Sequence, residues 1–201
     1  MPTAPFLAPD RDDTAKRGHQ RGSTPTVYFT IPGWHITAVG TFQPGLDTDH
    51  YQPIFTDEPL IVDRIALEVS TAGTAASTLR FGLYRADKDF QPTGAPLTDS
   101  GTIAADSIAV KTFTPTTPLY LRRGRYLGVY NHNAATAPIL RTYTGGFAPV
   151  GIPQAMGAGS VNFRWSGARA YAAFPTPGTL WASASQSTAA VSWIVLRVTG
   201  T

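Results

Sequence analysis

Apolar and polar residues alternate along much of the chain after residue 26, with the period of two that a half-buried β-strand requires. In residues 60–71, "LIVDRIALEVST", this alternation predicts one apolar face and a polar face that carries Arg64 and Glu68. The predicted apolar face consists of Ile61, Ile65, Leu67 and Val69.

The next run, "STLRFGLYRA", repeats the pattern. Leu79, Phe81 and Leu83 are expected to point inward and Arg80 outward. Further strands are predicted at residues 27–31, 50–55, 96–103, 109–115, 118–123, 125–131, 138–144, 169–174 and 191–198. No window keeps the spacing of an amphipathic helix, so many short strands punctuated by Gly and Pro predict an all-β, jelly-roll-like antiparallel β-sandwich.

Three segments allow more specific predictions. "LYLRRGRYLGVYN" is expected to form a tight hairpin, with Gly124 at the position that needs a positive φ. The run from Val191 to Val198 is almost continuously apolar, which favours a strand covered on both faces or an edge closed by a partner subunit. Residues 145–168 show no clear periodicity, and a long irregular loop of this kind is usually functional or part of an interface.

Residues 1 to about 26 differ from the rest of the chain. They mix both signs of charge with Gly, Pro and Ser, a composition that cannot bury enough apolar surface to order itself alone. Two hypotheses fit this segment, a disordered tail and an arm that orders against a neighbouring subunit. We predict the arm for residues 1–30, with a sandwich domain over residues 31–201. The candidate docking residues in the arm are Arg11, Lys16, Arg17 and Arg21.

The composition of the chain argues against several classes of protein and of site. Charged residues make up 14% of the chain and the formal net charge is only +3, with the basic residues scattered, which argues against a nucleic-acid partner. The chain has no cysteine, so thiolate metal sites and disulfides are excluded. Its first residues lack the pattern of a secretory signal, and no apolar run is long enough for a membrane-spanning helix, so we expect no membrane insertion.

Acidic clusters are the first candidates for chemistry. Asp87, Asp89 and Asp99 surround a Pro- and Gly-rich loop, but the spacing fails the EF-hand pattern, which leaves a looser Ca²⁺ site or plain turn residues. In "GLDTDHY", Asp49 and His50 should point to opposite sides of an extended chain, so a solvated loop is the favoured interpretation. We therefore predict no metal site.

Catalytic motifs are not recognisable either. The chain has no nucleophile elbow, no H-E-x-x-H and no phosphate-binding glycine loop. Of the two glutamates, Glu68 is expected to be solvated on the polar face of a strand. A hydrolase whose carboxylates converge only in three dimensions stays open as a hypothesis. We predict a non-enzymatic protein without catalytic residues or cofactors.

Aromatic residues are better placed for binding. The candidate ligand-binding residues are Trp165, Phe163 and Tyr143, which lie in or near loops. Exposed aromatic side chains stack on sugars or anchor interfaces, but packing in the core or at a subunit contact is the favoured interpretation. The binding hypothesis requires that the aromatic residues of the 145–167 segment be exposed, Trp165 above all.

The segment from residue 60 to about 180 carries an ordered series of short motifs. They are Asp63–Ile65, Arg80–Tyr84, Leu97–Thr102, Lys111 and Leu121–Leu127, followed by "RAYAAFPTP". The series resembles a module of tailed-bacteriophage virion proteins, whose pattern is a "DRI" strand, an "R-x-G-[IL]-Y" strand, a Gly/Pro loop, "L-x-D-[SA]-G-T", a short strand with Lys, and "L-x-x-G-x-Y-[WL]", with a later element that "RAYAAFPTP" resembles. The loop "DKDFQPTG" and the run "YLGVYN" depart from the common pattern.

The resemblance implies a jelly-roll-like β-sandwich mounted on the virion, as a head decoration, a head fibre or a tail component. It implies a homo-oligomer, with trimers as a frequent form, and other capsid or tail proteins as partners. Such proteins assemble in the cytoplasm of the bacterial host. The alternative function is a receptor- or glycan-binding module of the tail tip or fibre that mediates host attachment.

Overall fold

The computed structural model describes residues 19–21, 27–29, 38–56, 58–134, 136–144, 164–176, 185–187, 191–192 and 194–200. These residues form strands, turns and irregular segments, and none of them is helical. Two antiparallel sheets pack against each other, which confirms the predicted all-β, jelly-roll-like sandwich. No helix in the described residues is long and apolar enough to cross a membrane.

Sixteen strands in the described residues divide between two sheets, here called sheet A and sheet B. Sheet A contains β1 (His19–Arg21), β2 (Val27–Phe29), β3 (Ala38–Phe42), β5 (Leu60–Thr71), β9 (Ala109–Phe113), β10 (Leu119–Leu121), β12 (Ile139–Thr144), β15 (Val191–Ser192) and β16 (Ile194–Gly200). Sheet B contains β4 (Thr48–Thr56), β6 (Thr78–Ala86), β7 (Pro92–Asp99), β8 (Ile103–Ala104), β11 (Gly124–His132), β13 (Arg164–Ala168) and β14 (Ser185–Ser187).

The core lies between the two sheets. Leu79, Phe81 and Leu83 of β6 are fully buried there, as the alternation in the sequence predicts. They pack against inward-facing residues of sheet A that include Ile65, Leu67, Val69, Leu140, Ile194 and Leu196. Strand β16 lies between β2 and β5, so it is an inner strand of sheet A, and the alternative of an edge closed by a partner subunit is wrong for it.

A β-bulge in β5 changes the predicted apolar face. Residues of β16 pair with Arg64 and Val62, so Asp63 is an extra residue in the register. The bulge shifts the alternation by one position, and Leu60 and Val62 point into the core. The prediction that Ile61 faces inward is therefore wrong.

The predicted hairpin at Gly124 is also wrong. Strand β10 pairs with β5 in sheet A, whereas β11 pairs with β4 and β6 in sheet B. Residues 122–123 thus form a corner between sheets, and Gly124 is not among the described residues with positive φ. The corner is closed by hydrogen bonds: the Gly124 N–H donates to Thr56 Oγ1 (3.0 Å) and the Tyr126 hydroxyl to the Arg122 carbonyl (2.7 Å).

The strand predicted at residues 169–174 is wrong. Strand β13 ends at Ala168, just before this segment, and residues 169–176 are irregular and lie over the outer face of sheet B. The reason is local: the Arg169 Nη1 group donates hydrogen bonds to three carbonyls of its own segment, which curls the backbone around the guanidinium instead of extending it. These carbonyls belong to Ala170, Ala172 and Ala173.

Strands β1 and β2 extend sheet A beyond β16, and they fall within the residues 1–30 that we predict as an arm. Arg21 is the last residue of β1, and its backbone pairs with Val27. Arg11, Lys16 and Arg17 lie outside the described residues. The docking role of the arm and the domain boundary at residue 30 stay predictions.

Candidate functional site

Trp165 is the candidate ligand-binding residue that the structure describes fully, and it is buried. Its side chain is 6% exposed and stacks on Phe90, with 5.9 Å between the ring centroids. The binding hypothesis requires an exposed Trp165, and that prediction is wrong. The interpretation of Trp165 as a packing residue is confirmed. Tyr143 has its backbone in β12, but its side chain and all of Phe163 lie outside the described residues, so their roles stay predictions.

Trp165 is buried because the outer face of sheet B carries a second apolar cluster. The cluster is distinct from the core between the sheets and consists of Tyr51, Tyr84, Phe90, Leu127, Val129, Trp165 and Phe174. Phe90 comes from the loop after β6 and Phe174 from the 169–176 segment, so two loops supply its outer layer. A sheet face that a chain covers with its own loops offers little surface to a ligand.

A buried ion pair anchors the 169–176 segment to this face. Arg169 donates from both Nε and Nη2 to the carboxylate of Asp49, which is 1% exposed. Asn131 Nδ2 also donates to Asp49 (2.8 Å), as does the Tyr51 hydroxyl (3.2 Å). Every described donor around this carboxylate is thus a side chain on sheet B or on the segment.

The prediction of a solvated loop at "GLDTDHY" is wrong for Asp49 and His50. Both residues lie in β4 and both are buried. As predicted, they occupy opposite faces of the strand: Asp49 lies on the outer face with Asn131, whereas His50 stacks on the core residue Tyr130. The sequence contains no local signal for a buried Asp49, because its neighbours Thr48 and His50 are polar and its partner Arg169 is far away in the chain.

The pKa values of the residues around Asp49 indicate the charge states in which they interact. Burial and the charge of Asp49 raise the pKa of Tyr51 well above its usual value, and the same two causes raise that of Tyr84. For Arg169, burial acts to lower the pKa, but the hydrogen bond and the charge of Asp49 raise it. The two phenols therefore stay neutral and the guanidinium stays charged at physiological pH, a combination suited to structural hydrogen bonding.

The aspartates of the Pro- and Gly-rich loop have their own partners. Asp87 Oδ1 accepts from the backbone N–H groups of Asp89 and Gln91 (2.8 Å each), which is a turn function. Asp99 Oδ2 accepts from Arg80 Nη1 (2.8 Å), on the outer face of sheet B. Within the described residues, no group of three or more His, Asp or Glu side chains is placed to hold a metal ion.

The outer face of sheet A is more open. Four exposed apolar side chains lie on this face or at its edge, Val39, Ile108, Val110 and Tyr120, with exposures between 56% and 70%. Glu68 lies among them and pairs with Arg141, whose Nε and Nη2 donate to Glu68 Oε1 (3.2 and 2.9 Å). The prediction that Glu68 lies on the polar face of its strand is confirmed, although it has a salt-bridge partner.

Comparison with known proteins adds no relative. No protein-family model matches the chain. No curated protein matches it significantly. The functional argument therefore depends on the motifs of the sequence and on the surfaces described above.

Proposed function

We propose that the protein is a non-enzymatic structural protein of a tailed-bacteriophage virion. Its β-sandwich is mounted on the particle surface as a head decoration, a head fibre or a tail component, and the N-terminal arm docks it there. The observation that carries the proposal is the ordered set of virion-module motifs between residues 60 and 180.

Contacts between two of these motifs support the proposal. Arg80 opens the "RFGLY" strand and Asp99 belongs to "LTDSGT", and the two form a mostly buried ion pair (2.8 Å). Asp99 also accepts from the Gly101 N–H (2.9 Å), where φ is +65°, a conformation that favours glycine. The motif residues thus act on one another as parts of a scaffold, which is the role that the resemblance implies for them.

A close backbone approach supports the same interpretation. A Cβ atom at Gly82, the glycine of "RFGLY", would lie 2.4 Å from the Thr98 carbonyl oxygen and 3.2 Å from the Phe174 ring. Only glycine fits between the "LTDSGT" strand and the segment that carries Phe174. The motif therefore encodes packing, which fits a module that acts through its shape.

The test uses the phage whose genome encodes the chain. We expect quantitative mass spectrometry of purified particles to detect the protein, and immunogold labelling to place it on the head or on the tail. A variant that lacks residues 1–18, which keeps β1, should fold but be missing from particles. A full-length Asp89→Lys variant, altered only at an exposed turn, is the control and should be incorporated.

The outcomes separate the two parts of the proposal. Particles without the full-length protein would overturn the virion role. Normal incorporation of the truncated chain would overturn only the docking role of the arm. The attachment alternative loses Trp165 and keeps Phe163 and Tyr143 as its candidate contacts.

A further inference from the structure

The arginine side chains that the structure describes fall into two groups. One group has carboxylate partners, in the pairs Arg80–Asp99, Arg141–Glu68, Arg169–Asp49 and Arg197–Asp63. The hydrogen bond from Arg197 lowers the pKa of Asp63 and the nearby charge of Arg64 lowers it further, so Arg64 belongs with this group. The second group, here called the corner arginines, forms no ion pair with any carboxylate of the described residues. It consists of Arg85, Arg122, Arg123 and Arg125.

The corner arginines lie together at one end of sheet B. Arg85 of β6 is directly opposite Tyr126 of β11, and Arg125 precedes Tyr126 in the same strand. Arg122 and Arg123, both exposed, form the corner that leads into β11. Burial raises the pKa of Tyr126, whereas the charges of Arg85 and Arg122 act to lower it, so both guanidinium groups lie near this ring. The four positive charges therefore share an end of the sheet that is two strands wide, or roughly 10 Å.

The acidic side chains at this end of the sheet have other partners. Asp87 accepts from backbone N–H groups of its own turn, and Asp89 pairs with Lys88. Glu58, which lies before β5, is not free either. Asp89 raises the pKa of Lys88, whereas Arg125 acts to lower it, so Lys88 adds a further positive charge close to the corner. Positive charge is therefore in excess here, although the formal net charge of the whole chain is only +3.

The backbone that carries these side chains is held by hydrogen bonds. The Arg122 carbonyl accepts from the Thr56 hydroxyl (2.8 Å), whose oxygen in turn accepts from the Gly124 N–H (3.0 Å). The guanidinium of Arg125 lies over the Phe90 ring, 5.7 Å from its centroid. A ligand at the corner thus meets positive groups on an ordered backbone, which reduces the entropy lost when it binds.

The chemistry of the side chains indicates the class of ligand. Guanidinium groups bind phosphate through pairs of parallel hydrogen bonds, a geometry that lysine does not offer. We propose that the corner arginines form a binding site for a ligand that carries two or more adjacent phosphate groups. One carboxylate would match one guanidinium, whereas adjacent phosphates match several at once. A nucleic acid would need a basic stripe or face rather than a compact corner. The inference concerns the isolated domain and does not depend on a virion role.

The first measurement is isothermal titration calorimetry of the full-length chain with sodium tripolyphosphate, in about 0.15 M NaCl so that weak surface attraction is screened. We expect wild type to bind with a dissociation constant below about 1 mM. Inorganic orthophosphate should bind at least about 10-fold more weakly, because a single phosphate reaches fewer of the guanidinium groups.

Substitutions at the exposed part of the corner test which groups bind. Arg122→Gln with Arg123→Gln should raise the dissociation constant for tripolyphosphate at least about 10-fold, since charge-assisted hydrogen bonds are lost. Replacement of both by lysine keeps the charge but loses the paired hydrogen bonds, so this variant should fall between wild type and the glutamine variant. The matched control, Arg141→Gln with Lys111→Gln, removes two positive charges near the other end of β5 and should bind like wild type.

A second measurement distinguishes the source of the phosphates. Vesicles of phosphatidylcholine mixed with phosphatidic acid present phosphate groups on a membrane. Sedimentation of wild type with these vesicles, lost in the Arg122→Gln/Arg123→Gln variant, would assign the site to lipid headgroups. Wild type that binds tripolyphosphate but stays in the supernatant would assign it to a soluble ligand.

Four results would overturn the proposal. The first is no binding of tripolyphosphate to wild type up to about 5 mM. The second is unchanged affinity in the corner glutamine variant, with circular dichroism showing that it is folded. The third is an equal loss of affinity in the control variant, which would mean that only the total charge matters. The fourth is tighter binding of oligothymidylate than of tripolyphosphate, which would identify a nucleic-acid surface instead.

Discussion

Arg169 and Asp49, 120 positions apart in the sequence, form a two-point ion pair in which the carboxylate is almost completely buried. The pair joins the irregular 169–176 segment to β4 of sheet B. The backbone adds two contacts beside it: the Arg169 N–H donates to the Asp47 carbonyl (2.8 Å), and the Tyr171 N–H to Asp47 Oδ1 (3.1 Å). This relationship explains why the outer face of sheet B is closed.

Loss of the guanidinium should destabilise the protein strongly. Arg169→Met keeps much of the side-chain volume but leaves Asp49 as a buried charge without its cation, which typically costs about 3–5 kcal/mol of unfolding free energy. Urea denaturation followed by tryptophan fluorescence measures this. Asp89→Ala removes one partner of an exposed ion pair and should leave the unfolding free energy unchanged. Equal stability of Arg169→Met and wild type would contradict a structural role for the pair.

Trp165 should behave as a packing residue. Trp165→Ala removes a buried ring that stacks on Phe90, and we expect a loss of about 3–5 kcal/mol in unfolding free energy. The matched control is Tyr120→Ala, which removes an aromatic ring that is 60% exposed and should change stability little. If Trp165→Ala instead kept full stability and reduced adsorption to a host, the ligand-binding hypothesis would be restored for this residue.

His132 should make stability depend on pH. It is fully buried, its Nδ1 accepts from the Ala134 N–H (3.2 Å), and its Nε2–H is left to donate to the Pro44 carbonyl (3.2 Å). Burial lowers the pKa of His132 below its usual 6.5. The unfolded chain then binds the proton more readily than the folded one, so the contribution of His132 is complete above pH ~6.5 and declines as the pH falls below that value.

The difference in unfolding free energy between wild type and His132→Gln isolates this effect. The difference should be constant from about pH 8 down to about pH 6.5 and shrink at lower pH, since glutamine does not titrate. A proton NMR titration of the His132 ring provides a direct check. A ring pKa at or above 6.5 in the folded protein would contradict the prediction.

Two of the motif glycines, Gly82 and Gly124, should differ sharply in their tolerance of a side chain. Gly82→Ala forces a Cβ against the Thr98 carbonyl oxygen and should cost about 1–3 kcal/mol, as overpacking does. Gly124→Ala is the control, because its nearest neighbour would be 3.9 Å away and its φ is not positive. Thermal unfolding should show a lower midpoint for Gly82→Ala alone. Equal midpoints for the two variants would mean that the close approach relaxes freely.

The alternation of apolar residues predicted strand positions well where the strand is regular. Leu79, Phe81 and Leu83 are buried as expected. It failed at Ile61, because one extra residue at Asp63 reverses the faces and a bulge leaves no clear mark in the pattern. The hairpin predicted from the turn residue Gly124 failed for another reason: β10 and β11 are neighbours in the sequence but join different sheets.

The amino-acid sequence by itself determined the β-class of the protein, because period-two alternation and closely spaced Gly and Pro leave no other way to bury the apolar residues. Only the tertiary structure decided which strands share a sheet and which sheet face is covered. Those outcomes depend on pairs far apart in the chain, such as Asp49 with Arg169 and Gly82 with Phe174. Local patterns carry no information about such pairs. It is the tertiary structure that buries Trp165 and leaves Val110 exposed.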